Sequence, residues 1–277
     1  MDTPKSNIPG SARAPTADRR PIPFRGGGFA PTPRRIVPWI VFAVLIGLWQ
    51  AASSSGLLPP LFLPSPAAIV RALRDLWLDG TLMEHVTASL KRIIPGWIIG
   101  TAAGLTVGLA MGIFSSARAA GLPIVSALFP IPKIALLPVL ILWLGIGEPS
   151  KVATIALGVF FPTVISAYTA CDQVPRNLIR MGQSFGLPAR DIVAKILLPG
   201  AMPGILAGFR ISASVALLLV VAAEMIGAQH GIGAFVLTAG NLMQTDQLLA
   251  GVVILSILGL LISWALGAIE RSVLRWR

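Results

Sequence analysis

The sequence predicts an all-α integral membrane protein of about six transmembrane helices, with both termini cytoplasmic. Three observations carry this. The chain is 55% hydrophobic and only 12% charged, about half the charged share of a soluble domain. Its apolar residues gather in runs close to the roughly 20 that a helix needs to cross the hydrocarbon core. Its basic residues favour alternate connecting segments, as an orientation signal does.

Residues 1–35 hold seven prolines, the run Gly26-Gly27-Gly28 and seven basic residues. So little apolar surface cannot offset the entropy of ordering, and the segment reads as a disordered basic cytoplasmic tail. It is too proline-rich for a secretory signal. The pairs Arg19-Arg20 and Arg34-Arg35 fit an export signal poorly, because five more hydrophobic segments follow the first. Residues 36–82 hold the first span, to about residue 52, and a periplasmic stretch that turns amphipathic after Pro66. There Ile69, Val70, Leu73, Leu76 and Trp77 oppose Arg71, Arg74 and Asp75, the pattern of an interfacial helix between spans one and two.

A core domain of residues 83–270 carries the remaining spans. The second covers about 93–114, with Gly121 closing a short loop. The third covers 122–146 and is broken by Pro130, Pro132 and Pro138. The fourth covers 152–170, the fifth 204–226 and the sixth 248–269. A polar loop of residues 172–203 separates spans four and five, and a basic tail, 271–277, ends the chain. With the amino terminus inside, sixteen basic residues fall on the inner face and five on the outer (Arg71, Arg74, Lys91, Arg92, Lys151). The net charge of +11 is thus an orientation signal with attraction to anionic membrane lipid, and nucleic acid need not be invoked.

Several reaction classes fall away. The single cysteine, Cys171, forms no disulfide framework, and no Cys/His cluster has metal-ligand spacing, so no metal site is expected. Gly182-Gln183-Ser184-Phe185-Gly186 has the letters of a nucleophile elbow. That device needs a strand before the serine and a histidine beside it, whereas His85 and His230 both fall on the opposite face. No catalytic residue is expected. No Gly-Lys pair exists, so the chain lacks a phosphate-cradling loop and has no cofactor of its own.

Three features inside the spans carry physical meaning. Gly96, Gly100, Gly104, Gly108 and Gly112 stand four apart and form one stripe down the second span, where small residues let a neighbouring helix approach. The partner helix lies either within the subunit or in a second one. Lys133 falls near mid-membrane beside Pro132, and a charge there normally faces a cavity or a partner. It either lines a translocation path or pairs with carbonyls freed by the prolines. Glu224, the only acid inside the fifth span, caps a helix, pairs with a cation or lines an outer gate.

The most specific segment runs from Arg176 to Gly200. It predicts two short amphipathic helices with a turn at Gly186-Leu187-Pro188, ending at Pro199. Gly186, nine residues, Ile196, Leu198 and Pro199 resemble the EAA loop of permease subunits of binding-protein-dependent ABC importers, whose form is E-A-A-x-x-x-G-x(9)-I-x-L-P. Arg180-Met181-Gly182 stands where Glu-Ala-Ala is expected. Ala88-Ser89-Leu90-Lys91-Arg92, the run from Ile131 to Pro138, Trp143 to Glu148, and Ala223-Glu224-Met225-Ile226-Gly227 are similar to the nitrate/sulfonate/taurine branch.

That resemblance implies a multi-pass permease of the bacterial inner membrane that imports a small solute, an anion such as a sulfonate, taurine or nitrate. It implies a homodimer of permeases, two cytoplasmic ATPase subunits that bind the ATP-Mg, and a periplasmic solute-binding protein. Asn177, Arg180, Gln183, Ser184, Phe185, Gly186 and Leu187, with Ile196, Leu198 and Pro199, would form the ATPase-coupling loop. An ion-coupled secondary transporter is the alternative. Such folds show inverted repeats and paired broken helices, whereas here only the third span is strongly broken. A membrane-embedded enzyme would need a buried catalytic pair that the sequence does not offer.

Overall fold

The computed structural model describes residues 36–56 and 59–275; the expected amino-terminal tail lies outside them. The chain divides into a unit ending at Trp49 and a unit from Gln50 onward, and each is described by itself. The first is most of α1 (Val37–Ser54), an 18-residue apolar helix without an ionisable side chain, about 27 Å long and so close to the hydrocarbon thickness.

In the second unit, Ser65 caps α2 (Pro66–Leu78) by accepting from the Ala68 amide at 3.2 Å, with Pro66 at the position where its missing N–H costs nothing. Ile69, Ala72 and Leu76 of α2 are buried in the bundle, while Val70 and Trp77 stay exposed. Then follow α3 (Thr81–Ile113), α4 (Ser115–Leu128), a 3₁₀ turn (Lys133–Leu136), α5 (Leu137–Leu144) and α6 (Glu148–Asp172). The inner loop holds α7 (Arg176–Ser184) and α8 (Ala189–Ile192), a π turn (Val193–Leu197) leads into α9 (Leu198–Gly227), and α10 (Ile232–Asn241) and α11 (Thr245–Val273) complete the chain.

Glycine contacts establish how the spans run. A Cβ on Gly96 would stand 2.8 Å from Ile155, on Gly104 2.8 Å from Thr163, on Gly108 2.7 Å from Ala167 and on Gly112 2.6 Å from Cys171. The contacts advance together along both helices, so α3 and α6 are parallel and touch backbone to backbone, as small residues permit in lipid. The chain between them must therefore recross the membrane. Helices α4 and α5, bent by 86°, are one broken span rather than a loop that returns to its own side. Gly200, Gly204 and Gly208 meet Val174, Ala170 and Ser166 in descending order, making α9 antiparallel to α6. Gly259 and Gly267 meet Leu217 and Arg210, making α11 antiparallel to α9. The second unit thus has five crossings; α1 makes six by length and composition. Ile155, Val159, Ala216, Val220 and Ile232 form the core where α6, α9 and α10 meet.

Three sequence expectations need correction. Gly121 closes no loop; it lies inside α4, and the connection from α3 is the single extended residue Phe114. A Cβ on Gly121 would meet the Met111 sulfur at 2.8 Å, so the glycine serves a tight helical hairpin. The second loop helix does not end at Pro199. The π turn shifts the ladder so that the Leu198 amide reaches Val193 O, and Pro199 then begins a fresh α-helical register where a proline is tolerated. Helix is continuous from Ala189 to Gly227, 39 residues. The outer connection between the predicted spans 204–226 and 248–269, for which the sequence predicts no helix, contains α10, whose ten residues are too short to register as a span.

Candidate functional site

At the inner face α7 presents Asn177, Arg180, Gln183, Ser184 and Phe185 to solvent, with Phe185 78% exposed and Met181 beside it. Its closure is a Schellman motif. The Leu187 amide donates to Gly182 O at 3.1 Å and the Gly186 amide to Gln183 O at 3.0 Å, with Gly186 at φ +71°. Gly182 is buried against Ile196, which lies 2.9 Å from where its Cβ would be. This contact ties α7 to the π turn, and so to Leu198 and Pro199 at the start of α9. The Ser184 hydroxyl donates to Arg180 O at 3.0 Å, and a helix precedes it, so the elbow reading has no structural support. Beside the loop, Arg118 at the start of α4 makes a two-bond ion pair with Asp172 at the end of α6 and lies 5.5 Å over the Tyr168 ring.

The break in the third span centres on Lys133. Pro130 and Pro132 remove two donors, and the Lys133 ammonium returns three by donating to the carbonyls of Leu128 (2.6 Å), Phe129 (3.2 Å) and Ile131 (2.7 Å). It also lies 4.4 Å over the Phe161 ring, a favourable position for a cation. The lysine is a clasp on the bend between α4 and α5.

At the outer end, side chains from α3 and α9 grip four consecutive backbone positions. Arg92 donates to His230 O at 2.6 Å. His85 Nδ1 accepts from the Gly231 amide at 3.0 Å, Ser89 Oγ from Ile232 at 2.9 Å and Glu224 Oε2 from Gly233 at 2.9 Å. These are orphan amides of the first turn of α10, which otherwise lack partners. The Glu224 side chain is wholly buried. Its Oε1 also accepts from Arg92 at 2.7 Å and from Ser89 at 2.8 Å. Arg92, itself 4% exposed, forks onto both oxygens of Glu148 at 2.7 Å. Buried charges are tolerable when each is paired and hydrogen-bonded, and here both are. One network therefore joins α3, α6, α9 and α10.

The family model described as the inner membrane component of binding-protein-dependent transport systems matches residues 100–275. The chain belongs to this family. It is 36% identical over 239 residues to the taurine transport system permease protein TauC of Escherichia coli (strain K12), which covers 84% of this chain and 87% of TauC. It is 33% identical over 235 residues to the putative aliphatic sulfonates transport permease protein SsuC of Bacillus subtilis (strain 168), covering 85% of each. Among solved structures, a chain of the MetNI methionine ABC transporter in an inward-facing form superposes with a TM-score of 0.59 at 25% identity, over 68% of this chain and 94% of that one. Permeases of this family work with a solute-binding protein and an ATPase.

The permease's outer latch was only partly visible in its sequence. Glu224 stands out as a lone acid in an apolar run, whereas Arg92 reads as outer-face charge and, with Ser89, as part of a family-like run, and none of His85, Ser89 and Arg92 is assigned a structural role by the sequence. Their spacing was the available signal: His85, Ser89 and Arg92 at i, i+4 and i+7 share one face of α3. Their partners lie 56 to 146 positions away, beyond any local pattern. Among the described residues no cluster of three or more His, Cys, Asp or Glu could hold a metal ion.

Proposed function

We propose that this chain is the non-catalytic, membrane-spanning subunit of an ATP-driven importer in the bacterial inner membrane, and that its cargo is a small sulfonate such as taurine. The observation that carries the reading is α7, a short capped helix with Met181 and Phe185 exposed at the inner face and seated on the continuous helix that becomes α9. An exposed apolar edge on a rigid support suits docking to another protein. Two cytoplasmic ATPase subunits occupy that edge on each permease pair, and ATP-Mg binds on them. A second copy of this chain completes the pathway, and a periplasmic binding protein selects the solute. The likeness to TauC and SsuC supports the sulfonate, and the inner clasp Arg118–Asp172 lies where motion at α7 enters the bundle. Lys133 and Glu224 act in this scheme by holding the walls of the path in shape.

Reconstitution of the chain with its ATPase and binding protein in proteoliposomes tests this. Uptake of labelled taurine is expected to require ATP and all three components and to survive a protonophore. Uptake that persists without the ATPase and collapses with the ion gradient would establish the secondary-transporter alternative instead.

A further inference from the structure

The grip on α10 contains one group whose protonation state the geometry dictates. His85 Nδ1 accepts the Gly231 amide at 3.0 Å, so that nitrogen carries no proton and the ring is neutral. Protonation would turn the acceptor into a donor facing an N–H. It would also place a cation at the amino-terminal, positive end of α10. Both effects loosen the same contact.

We propose that His85 is a proton-sensitive positioning residue of the outer latch, holding the start of α10 when neutral and releasing it on acidification of the outer side. The surrounding groups decide whether this one contact is singled out. From α3, Glu84 is 3.1 Å from His230 Nδ1 and so is engaged elsewhere. From the segment before α10, the His230 ring lies 6.1 Å away. From α9, Glu224 is committed to Ser89, Arg92 and Gly233. From α6, Glu148 is engaged by Arg92. The Phe235 ring of α10 lies 5.2 Å from that of His85, and α2 and α11 bring the apolar Leu76 and Ile254 to the small cavity that His85 lines. None of the other holds on this turn, from Ser89, Arg92 and Glu224, is an imidazole, the group whose ordinary pKa is about 6.5. Acid should therefore loosen the first turn of α10 without dissolving the latch.

The proposal goes beyond the transport reading and is tested without transport. Amide hydrogen exchange of the full chain in nanodiscs would be followed over residues 229–241 at about pH 7.5 and about pH 5, either side of that pKa, after correction for intrinsic exchange. Protection in the wild type is expected to fall about five- to tenfold at the lower pH, the factor one hydrogen bond is worth. His85→Asn puts an amide oxygen near the place of Nδ1 and does not titrate, so its protection should be flat with pH. His230→Gln should keep the wild-type fall. No fall in the wild type, an equal fall in His85→Asn, or a fall lost in His230→Gln alone overturns the proposal. Absence of ATP-driven uptake would instead count against the transport function and leave this result standing.

Discussion

Glu224→Gln is the sharpest test of the outer latch, because it preserves shape and changes only charge and hydrogen-bond sense. The carboxylate accepts from Arg92 and Ser89 on Oε1 and from the Gly233 amide on Oε2. An amide side chain has one acceptor oxygen and one donor nitrogen. With its oxygen kept on Arg92, its NH₂ faces the Gly233 N–H and leaves a buried donor unpaired, at about 1–3 kcal/mol. The bond to Arg92 also loses its ionic partner, adding about 1 kcal/mol. The sum is about 2–4 kcal/mol. At roughly 2–4 °C per kcal/mol for a chain of this size, thermal unfolding in detergent should fall by about 5–15 °C. Glu224→Ala should cost about 3–5 kcal/mol, because it leaves the buried Gly233 amide without an acceptor and takes from the buried Arg92 one of its two carboxylate partners. Pairing it with Arg92→Met should recover part of that loss. A Glu224→Gln protein melting within about 2 °C of wild type would show that the carboxylate is not holding α10.

Gly108→Val adds a side chain 2.7 Å from the Ala167 Cβ and from Val164 O, so it should cost about 1–3 kcal/mol; an unchanged melting temperature would mean that α3 and α6 are not in that register. Lys133→Met removes the donor to three carbonyls and should lower uptake while the ATPase still co-purifies; unaltered uptake kinetics would show that the clasp is dispensable. Gly186→Val forces a β-branched residue to φ +71°, at about 1–2 kcal/mol or more, and should leave ATP hydrolysis running with uptake reduced about five- to thirtyfold. Gly186→Asn, which tolerates that conformation, should restore most of it, and equal behaviour of the two variants would sink the argument from the cap.

What the sequence disclosed tracks how local each cause is. The stripe from Gly96 to Gly112 and the turn at Gly186 are set by neighbours in the chain, and both are visible as spacing. The α3–α6 partnership needed coordinates, because a glycine stripe does not name its partner. Pro199 misled because proline signals a helix stop, whereas the preceding π turn converts the same residue into a helix start. Helix α10 was missed for a related reason. Its first turn is held by side chains of α3 and α9 rather than by a local capping residue, and Gly231 at the cap supplies no side chain. Lys133 was visible as an anomaly, and only the bend of 86° showed which carbonyls it serves.

The two ends of the molecule are joined by one element. From Ala189 to Gly227 the helix is unbroken over 39 residues, about 58 Å at 1.5 Å per residue. Its inner end carries the contact with α7 through Ile196 and Gly182. Its outer end carries Glu224, which holds α10 and Arg92. Along the way, Gly204 and Gly208 bring it against Ala170 and Ser166 of α6, and α6 is bound to α3 by the glycine stripe. Interlocked cores shift between discrete arrangements rather than deforming smoothly. On the proposed docking at α7, a displacement imposed there is expected to move α3, α6 and α9 together, with the strain falling on the bend between α4 and α5, where the helical ladder is already interrupted. In that scheme the Lys133 clasp sits at the hinge and the Glu224 latch at the far end of the lever. A change at either should alter coupling between hydrolysis and uptake even where neither side chain meets the solute.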